Sequence, residues 1–338
     1  VLGALLHLCI QLPAFYRLGF RFSFATSPPH DGIKKILRIS VPRTITLSLG
    51  NLTTIAIASL LSLFAAGSIG VFRLASNVRY LPIGLVGVSY AIVSFTKLSL
   101  HGVRGDRERF FSDLTQTLQS ILFFILPVVL VSLVFRNEIA YLLFGTGLFG
   151  EESVRTTALF VAYFSGAIVF ESMNMTLIRA FYALGNTTIP LMIVGVVSAG
   201  IVGTSFVLMR FFGFSALVVP LAFSALYGVQ TILFIFFLRN VERTKWGGVV
   251  SLPLFSRESL KIIFAALGSG VCGFFVARML PFPTFSFLGS FFRLLAGGGV
   301  MVISYGALLF FLQSEELRMI IRGLRRRLAK SIPPQSRN

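Results

Sequence analysis

VPRTITLSLGNLTTIAIASLLSLF, residues 41–64, and LASNVRYLPIGLVGVSYAIVSFT, residues 74–96, are two long apolar runs separated by a loop that opens AAGSIG. A bilayer hydrocarbon core of about 30 Å consumes about 20 apolar residues per helical crossing. Each run meets that length. Further runs lie at 114–135, 156–182, 187–209, 214–238, 260–280 and 287–312. The reading is an all-α, polytopic transmembrane helix bundle of about eight full spans, plus a partial helix over residues 1–16 at the N-terminus. The opening VLGALLHLCIQLP has no initiator Met and no basic stretch ahead of its apolar run. It resembles a helix entered midway, which predicts a natural protein longer at this end.

Composition agrees. The 338 residues are 55% hydrophobic and 12% charged, and the mean hydropathy is +0.87. A soluble globular domain carries about twice that charged fraction. The formal charge of +18 would point to nucleic acid in a soluble chain. Here the basic residues sit between spans and in the tail, where the positive-inside rule accounts for them without nucleic acid. Arg17, Arg21, Lys34, Lys35 and Arg38 precede the first span; Lys97, Arg104, Arg107 and Arg109 follow the second. Arg239, Arg243, Lys245, Arg257 and Lys261 follow the sixth, and Arg318, Arg322, Arg325, Arg326, Arg327 and Lys330 follow the eighth. With eight spans all four clusters fall on one side, expected to be cytoplasmic, and so does the C-terminus. The loops AAGSIG, GLFGEES, FFGFS and PFPTFS fall on the other.

The expected organisation is a helix end and basic loop over 1–40, a six-helix lobe over 41–240, a loop and two final helices over 241–313, and a basic tail over 314–338. In that tail Leu317, Ile320, Ile321, Leu324 and Leu328 share one helical face. The pattern fits a helix lying on the membrane surface, or a solvated basic tail that fixes topology. Gly and Pro punctuate the spans at Pro82, Gly84, Gly87, Pro127, Pro190, Pro220 and Gly297 to Gly299, which membrane bundles tolerate for close packing or for bending. Cys9 and Cys272 match no metal or disulfide spacing and read as packing residues.

Charges within spans are the informative exceptions, because an ionised side chain at the bilayer centre costs about 2.5–3.5 kcal/mol on insertion scales. In the second span Arg73, Asn77, Tyr80, Gly84 and Gly87 recur every three or four residues, bordered by Ser76, while Arg79 points to the side. This stripe fits a polar cavity; Arg73 and Arg79 also fit arginines reaching toward the outer headgroups. In the first span Arg43, Thr46, Gly50, Asn51 and Thr54 share a face, and Arg43 alone fits an interfacial arginine. Glu171 is the single carboxylate deep within a span. Arg179, two turns on, is too distant along the helix to pair with it, which leaves Arg73 or Arg79 from another helix, or a protonated carboxyl bonded to a neighbour. No HExxH motif and no acidic cluster for Mg²⁺ is present, and His7, His30 and His101 are scattered. These residues favour ligand binding and movement over catalysis, with no cofactor and no metal.

Several segments resemble the MurJ/MviN family, the lipid II flippases of the multidrug/oligosaccharidyl-lipid/polysaccharide exporter superfamily. SVPRTITLSLGNLTTIAIASLLSLFAAGSIGVF (40–72) is similar to the family's seventh helix and the turn after it. LPIGLVGVSYAIVSFTKLSLHGVRGDRERF (81–110) is similar to its eighth helix end and following loop, LPxGLFGVAxATxxFPxLSxxxARGDxExF. RAFYALGNTTIP (179–190) resembles RAFYALGDTxTP, and GALLHLCIQLPAFYRLGFRF (3–22) resembles the end of the sixth helix. The resemblance implies helices six to fourteen of fourteen, with the first five missing, two lobes around a cationic cavity opening alternately to each face, and a lipid-tail groove on the last two helices. It implies an undecaprenyl-pyrophosphate-linked disaccharide-peptide as substrate, location in the bacterial plasma membrane among its lipids, and the cell-wall synthesis machinery as a further partner. The expected site residues are Arg73, Asn77, Arg79, Arg43, Asn51 and Glu171. Two departures matter. Asn77 stands where the family commonly has a functional arginine, so Arg73 or Arg79 would supply that charge. Thr54 stands at a cation-binding aspartate and the span after Pro190 has no Asp or Asn, which argues against sodium coupling. A related exporter of another lipid-linked saccharide or of a drug, and a truncated non-transporting membrane protein, are the alternatives.

Overall fold

The computed structural model describes residues 2–19, 31–64, 67–145, 150–246 and 256–322. The chain divides into two units, Val1–Val41 and Pro42–Asn338. The first holds α1 (Leu2–Arg17), whose apolar side chains Leu2, Leu5, Leu6 and Ile10 are exposed, and the start of α2 (Asp31–Ser62). The second holds the rest of α2, then α3 (Ser68–Pro82) running through a π-helical segment, Ile83–Val88, into α4 (Ser89–Arg104). There follow α5 (Arg107–Val134), the short α6 (Arg136–Phe144), α7 (Glu151–Ala183), α8 (Thr188–Phe211), α9 (Val218–Trp246), α10 (Arg257–Met279) and α11 (Phe287–Phe311). Among the described residues eight helices are long and apolar enough to cross a membrane, as the apolar runs require. The chain is a multi-pass membrane protein. The far end of the tail, with Leu324 and Leu328, lies outside the described residues, as do residues 20–30 and 247–255 of the basic loops.

Helix α7 is the hub, packed against α3, α4, α5, α6, α8 and α9. Its sequence explains this. Ala158, Ser165, Gly166, Ala167, Ser172, Thr176 and Ala180 keep several of its faces narrow, and small residues let helix backbones close up where no water drives association. Polar side chains then link the helices. Ser224 of α9 donates to the Tyr163 carbonyl and accepts from the Ala167 N–H, at 2.5 and 2.9 Å. Asn174 donates to the Tyr227 carbonyl at 3.1 Å and accepts from the Thr231 hydroxyl at 2.8 Å. Outward faces carry large apolar groups such as Leu85, Val103, Met192 and Ile303, as lipid contact demands. Cys9 and Cys272 are free and lie on such exposed faces, so they are not the interior packing residues expected of them.

Proline marks helix beginnings and bends as its missing N–H dictates. Pro190 and Pro220 lie in the first turns of α8 and α9, Pro127 sits inside an unbroken α5, and Pro82 immediately precedes the π segment. A π turn adds a residue to the helical circuit, so the stripe read at period 3.6 does not continue through it. Arg73, Asn77 and Tyr80 share one cavity, whereas Gly87 turns to α7. A methyl group on Gly87 would lie 2.9 Å from Ser172 Cα. Gly87→Ala is therefore expected to cost about 1–3 kcal/mol through overpacking against backbone, read as a lower unfolding midpoint. Gly84 faces open space, and Gly84→Ala should leave that midpoint nearly unchanged.

Two polar anchors hold α10 and α11. On the side away from the basic loops Arg293 pairs with Glu138 of α6 at 2.9 Å and donates to the carbonyls of Ala277 and Phe282. The short α6, absent from the apolar-run reading, supplies that carboxylate. On the basic side Glu258 accepts from the Ser314 hydroxyl and the Glu315 N–H at 2.5 and 2.6 Å. The Ser120 hydroxyl donates to Glu316 at 3.1 Å, and Leu317 and Ile320 pack onto the core. The described start of the tail thus rests on protein.

Burial, then the neighbouring Glu258 and Glu315 charges, push the Glu316 carboxyl above its ordinary pKa against the opposing Ser120 hydrogen bond. A folded-state pKa above the unfolded one means that protonation favours the packed tail and that stability declines as pH rises from the unfolded value through the folded one. Hydrogen-exchange protection of residues 314–322, corrected for intrinsic rates, should fall over that window. Over that window the fall should be absent in Glu316→Gln.

Candidate functional site

Four helices face one another around a cavity of about 290 Å³. Helix α2 contributes Arg43, Thr46, Leu47 and Gly50, and α7 contributes Glu171, Asn174, Met175, Ile178, Arg179 and Tyr182. Both sets recur at three- and four-residue intervals, so each is one stripe of its helix. Val194 and Ser198 of α8, Tyr227 and Gln230 of α9, and Val88 of the π segment complete the wall.

The polarity of this wall is ordered along α7. At the Ala183 end, beside the terminus of α4, stand Arg43, Arg179 and Tyr182. The Arg43 guanidinium carbon lies 5.3 Å from the Tyr182 ring centroid and 5.9 Å from that of Phe95. Arg179 donates to the Met175 carbonyl at 3.2 Å, and the two arginines are close enough to repel one another. Among the described residues no carboxylate pairs with either guanidinium. The Tyr182 hydroxyl is buried near Thr46 without completing a hydrogen bond, while Thr46 donates to the Pro42 carbonyl at 2.8 Å. Glu171 lies eight residues earlier on α7, about 12 Å deeper at 1.5 Å per residue, with Asn174, Tyr227 and Gln230 around it. One end of the cavity is cationic and the other carries a carboxylate and amides.

Arg79 is 1% exposed and reaches Glu171 from behind the cavity wall, Nε to Oε2 at 3.7 Å. Of the two partners expected for Glu171, Arg79 is the one that meets it. The rings of Tyr80, Phe164 and Phe223 stand 4.6, 4.7 and 4.8 Å from its guanidinium carbon. Phe72, Phe164 and Phe223 pack together as one buried aromatic cluster.

The expected site residues therefore divide. Arg43 and Glu171 line the first cavity. Asn51, Arg73 and Asn77 line a second, of about 400 Å³, with Thr54, Ser76 and Tyr80. The two cavities share no lining residue, and Arg79 opens into neither. Arg179, Tyr182, Tyr227 and Gln230 were absent from the expected set. The signal for the first two was present as a stripe, 171, 175, 179 and 182, leading into RAFYALG. Among the described residues no group of three His, Cys, Asp or Glu side chains is placed to hold a metal.

A family model described as lipid II flippase MurJ matches residues 1–293. A curated relative from Treponema pallidum, named "Probable lipid II flippase MurJ", is 26% identical over 312 residues, covering 90% of this chain and 56% of the relative. One of the same name from Thermotoga maritima is 26% identical over 321 residues, covering 95% and 60%. A solved structure titled lipid II flippase MurJ, inward closed conformation, superposes with a TM-score of 0.64 at 20% identity, covering 87% of this chain and 57% of that one. The chain thus spans less than two thirds of the length of these relatives.

Proposed function

The chain belongs to the lipid II flippase MurJ family, and from that premise we propose that the protein moves a lipid-linked cell-wall precursor across the bacterial plasma membrane by alternating access. The observation that carries this reading is the pair of guanidiniums, Arg43 and Arg179, facing a cavity with no carboxylate partner among the described residues and with the Tyr182 hydroxyl beside them. Cations left unneutralised in a low-dielectric wall call for an anion, and guanidinium geometry suits phosphate oxygens. The ligand in this reading is an undecaprenyl pyrophosphate bearing a disaccharide-peptide. Its pyrophosphate meets the arginine end, its amides and hydroxyls meet Asn174 and Gln230, and its prenyl chain stays in lipid.

The basic loops and the C-terminus are cytoplasmic in this reading, so the headgroup enters at the arginine end. No bond of the lipid is made or broken. The membrane potential supplies drive, since moving one charge through 100 mV is worth about 2.3 kcal/mol. Depletion of the full-length gene should trap the precursor in the inner leaflet, and the intact gene should release it. A gene carrying Arg43→Gln and Arg179→Gln should not. Normal precursor turnover after depletion would remove the basis for this function.

A further inference from the structure

Glu171 stands where the cavity meets the packed interior. Its side chain is 15% exposed and lines the cavity wall. The contact with Arg79 is 3.7 Å, outside hydrogen-bond reach, and neither Glu171 Oε2 nor Arg79 Nε or Nη1 has a hydrogen-bond partner. Charge-assisted bonds in a closed pair run at about 2.7–2.9 Å. This pair is left open. Arg79 has a separate source of stabilisation in the three rings around it, because the negative face of an aromatic ring attracts a desolvated cation. The cation therefore has a place to stay when the carboxylate is neutral.

We propose that Glu171 is a proton-binding site that exchanges with the cavity while Arg79 remains charged in both states. A proton delivered by cavity water forms an O–H bond on the Glu171 carboxylate, and the pair changes from zero net charge to +1. The proton leaves by the reverse step, with no electron moved. A metal cation is a poor occupant, since the Arg79 guanidinium stands 3.7 Å away and the Asn174 oxygen is already engaged by Thr231. The other titratable groups around Glu171 are Arg79 and Tyr80 from α3, Arg43 from α2, Arg179 and Tyr182 from α7 and Tyr227 from α9. The cavity residues of α8 and the π segment are not titratable. Arginine and tyrosine ordinarily titrate near or above about pH 10, which leaves Glu171 as the group of this set whose ordinary range lies well below that.

Protonation also removes a negative charge about 12 Å from the arginine end, so proton and dianion strengthen one another's binding by the same factor. That consequence rests on the headgroup reading above; the proton site itself does not.

The test is infrared difference spectroscopy of the purified chain in lipid nanodiscs, between acid and alkaline pH. Beside the bands of the other carboxyls, one protonated-carboxyl component should be present in the wild type, be missing in Glu171→Gln, and persist in Glu316→Gln. The same band surviving in Glu171→Gln overturns the proposal. Glu171→Asp, which keeps the carboxyl, decides the matter should the Gln variant not fold: its band should shift in frequency, and an unshifted band counts against Glu171. Calorimetry with sulfate, whose charge is constant from about pH 4 to about pH 8, tests the linkage across the carboxyl's ordinary range. Wild-type affinity should rise several-fold at the acid end, and Glu171→Gln should bind with the acid affinity at both. Equal wild-type affinities overturn the linkage. Sulfate that binds at neither pH counts against the cavity reading, and the infrared result then decides the proton site alone.

Discussion

Replacing Arg79 with alanine is expected to destabilise the folded chain far more than replacing Glu171 with glutamine. Both residues belong to one ion pair, yet they depend on it unequally. Arg79 is enclosed by three aromatic rings, while Glu171 Oε2 has no hydrogen-bond partner. Removing one partner of a buried pair typically costs about 3–5 kcal/mol because the other charge is stranded. Arg79→Ala should approach that figure at neutral pH, and the loss should shrink at acid pH, where a neutral Glu171 needs no counter-charge. Glu171→Gln should cost much less. The combined Arg79→Met, Glu171→Gln variant should recover a large part of the Arg79→Ala loss, since paired apolar or neutral replacements leave nothing stranded. Thermal unfolding in one detergent at one scan rate measures all three. Equal losses for the two single variants would show that the aromatic enclosure contributes nothing.

Arg43→Gln with Arg179→Gln is expected to weaken anion binding severely without unfolding the chain. A hydrogen bond to a charged group contributes about 1.5–3 kcal/mol, or roughly 10- to 100-fold in affinity for each arginine that meets phosphate. The double variant should lose at least about 100-fold for inorganic pyrophosphate by calorimetry. The lysine pair should keep part of the affinity, since it preserves charge but not the planar fork. Arg73→Gln, altered in the other cavity, should bind as the wild type does. Stability should hold because neither Arg43 nor Arg179 has an ion pair among the described residues. Undiminished binding in the double variant would place the anion elsewhere.

The spans were legible because lipid leaves a one-dimensional mark: about 20 apolar residues per crossing, with arginine and lysine sorted to alternate loops. Glu171 was legible for the same reason, as a costly residue that needed a partner, and Arg79 was one of the two cations named for it. What escaped were features set by packing between helices. The π segment after Pro82 leaves no periodic trace, so Gly87 was grouped with Tyr80 although it abuts Ser172. Asn51 and Arg43 lie on one face of α2, yet they line different cavities, because the neighbours of that face change along its length. Arg179 was judged against Glu171 on its own helix and dismissed. Its relation to Arg43, on a helix more than a hundred residues earlier, could not be read from spacing. Nine-residue α6 was too short to register as a span, although its Glu138 anchors α11.

The wide turn at Ile83–Val88 also sets the phase of everything before it. That turn already holds one residue more than an α turn, so removing a single residue there would let it close to ordinary α-helix with Arg73, Asn77 and Arg79 held near their present bearing. An excision anywhere else along the rod has no such slack: at about 100° per residue it would swing Arg79 away from Glu171 with every side chain still in place.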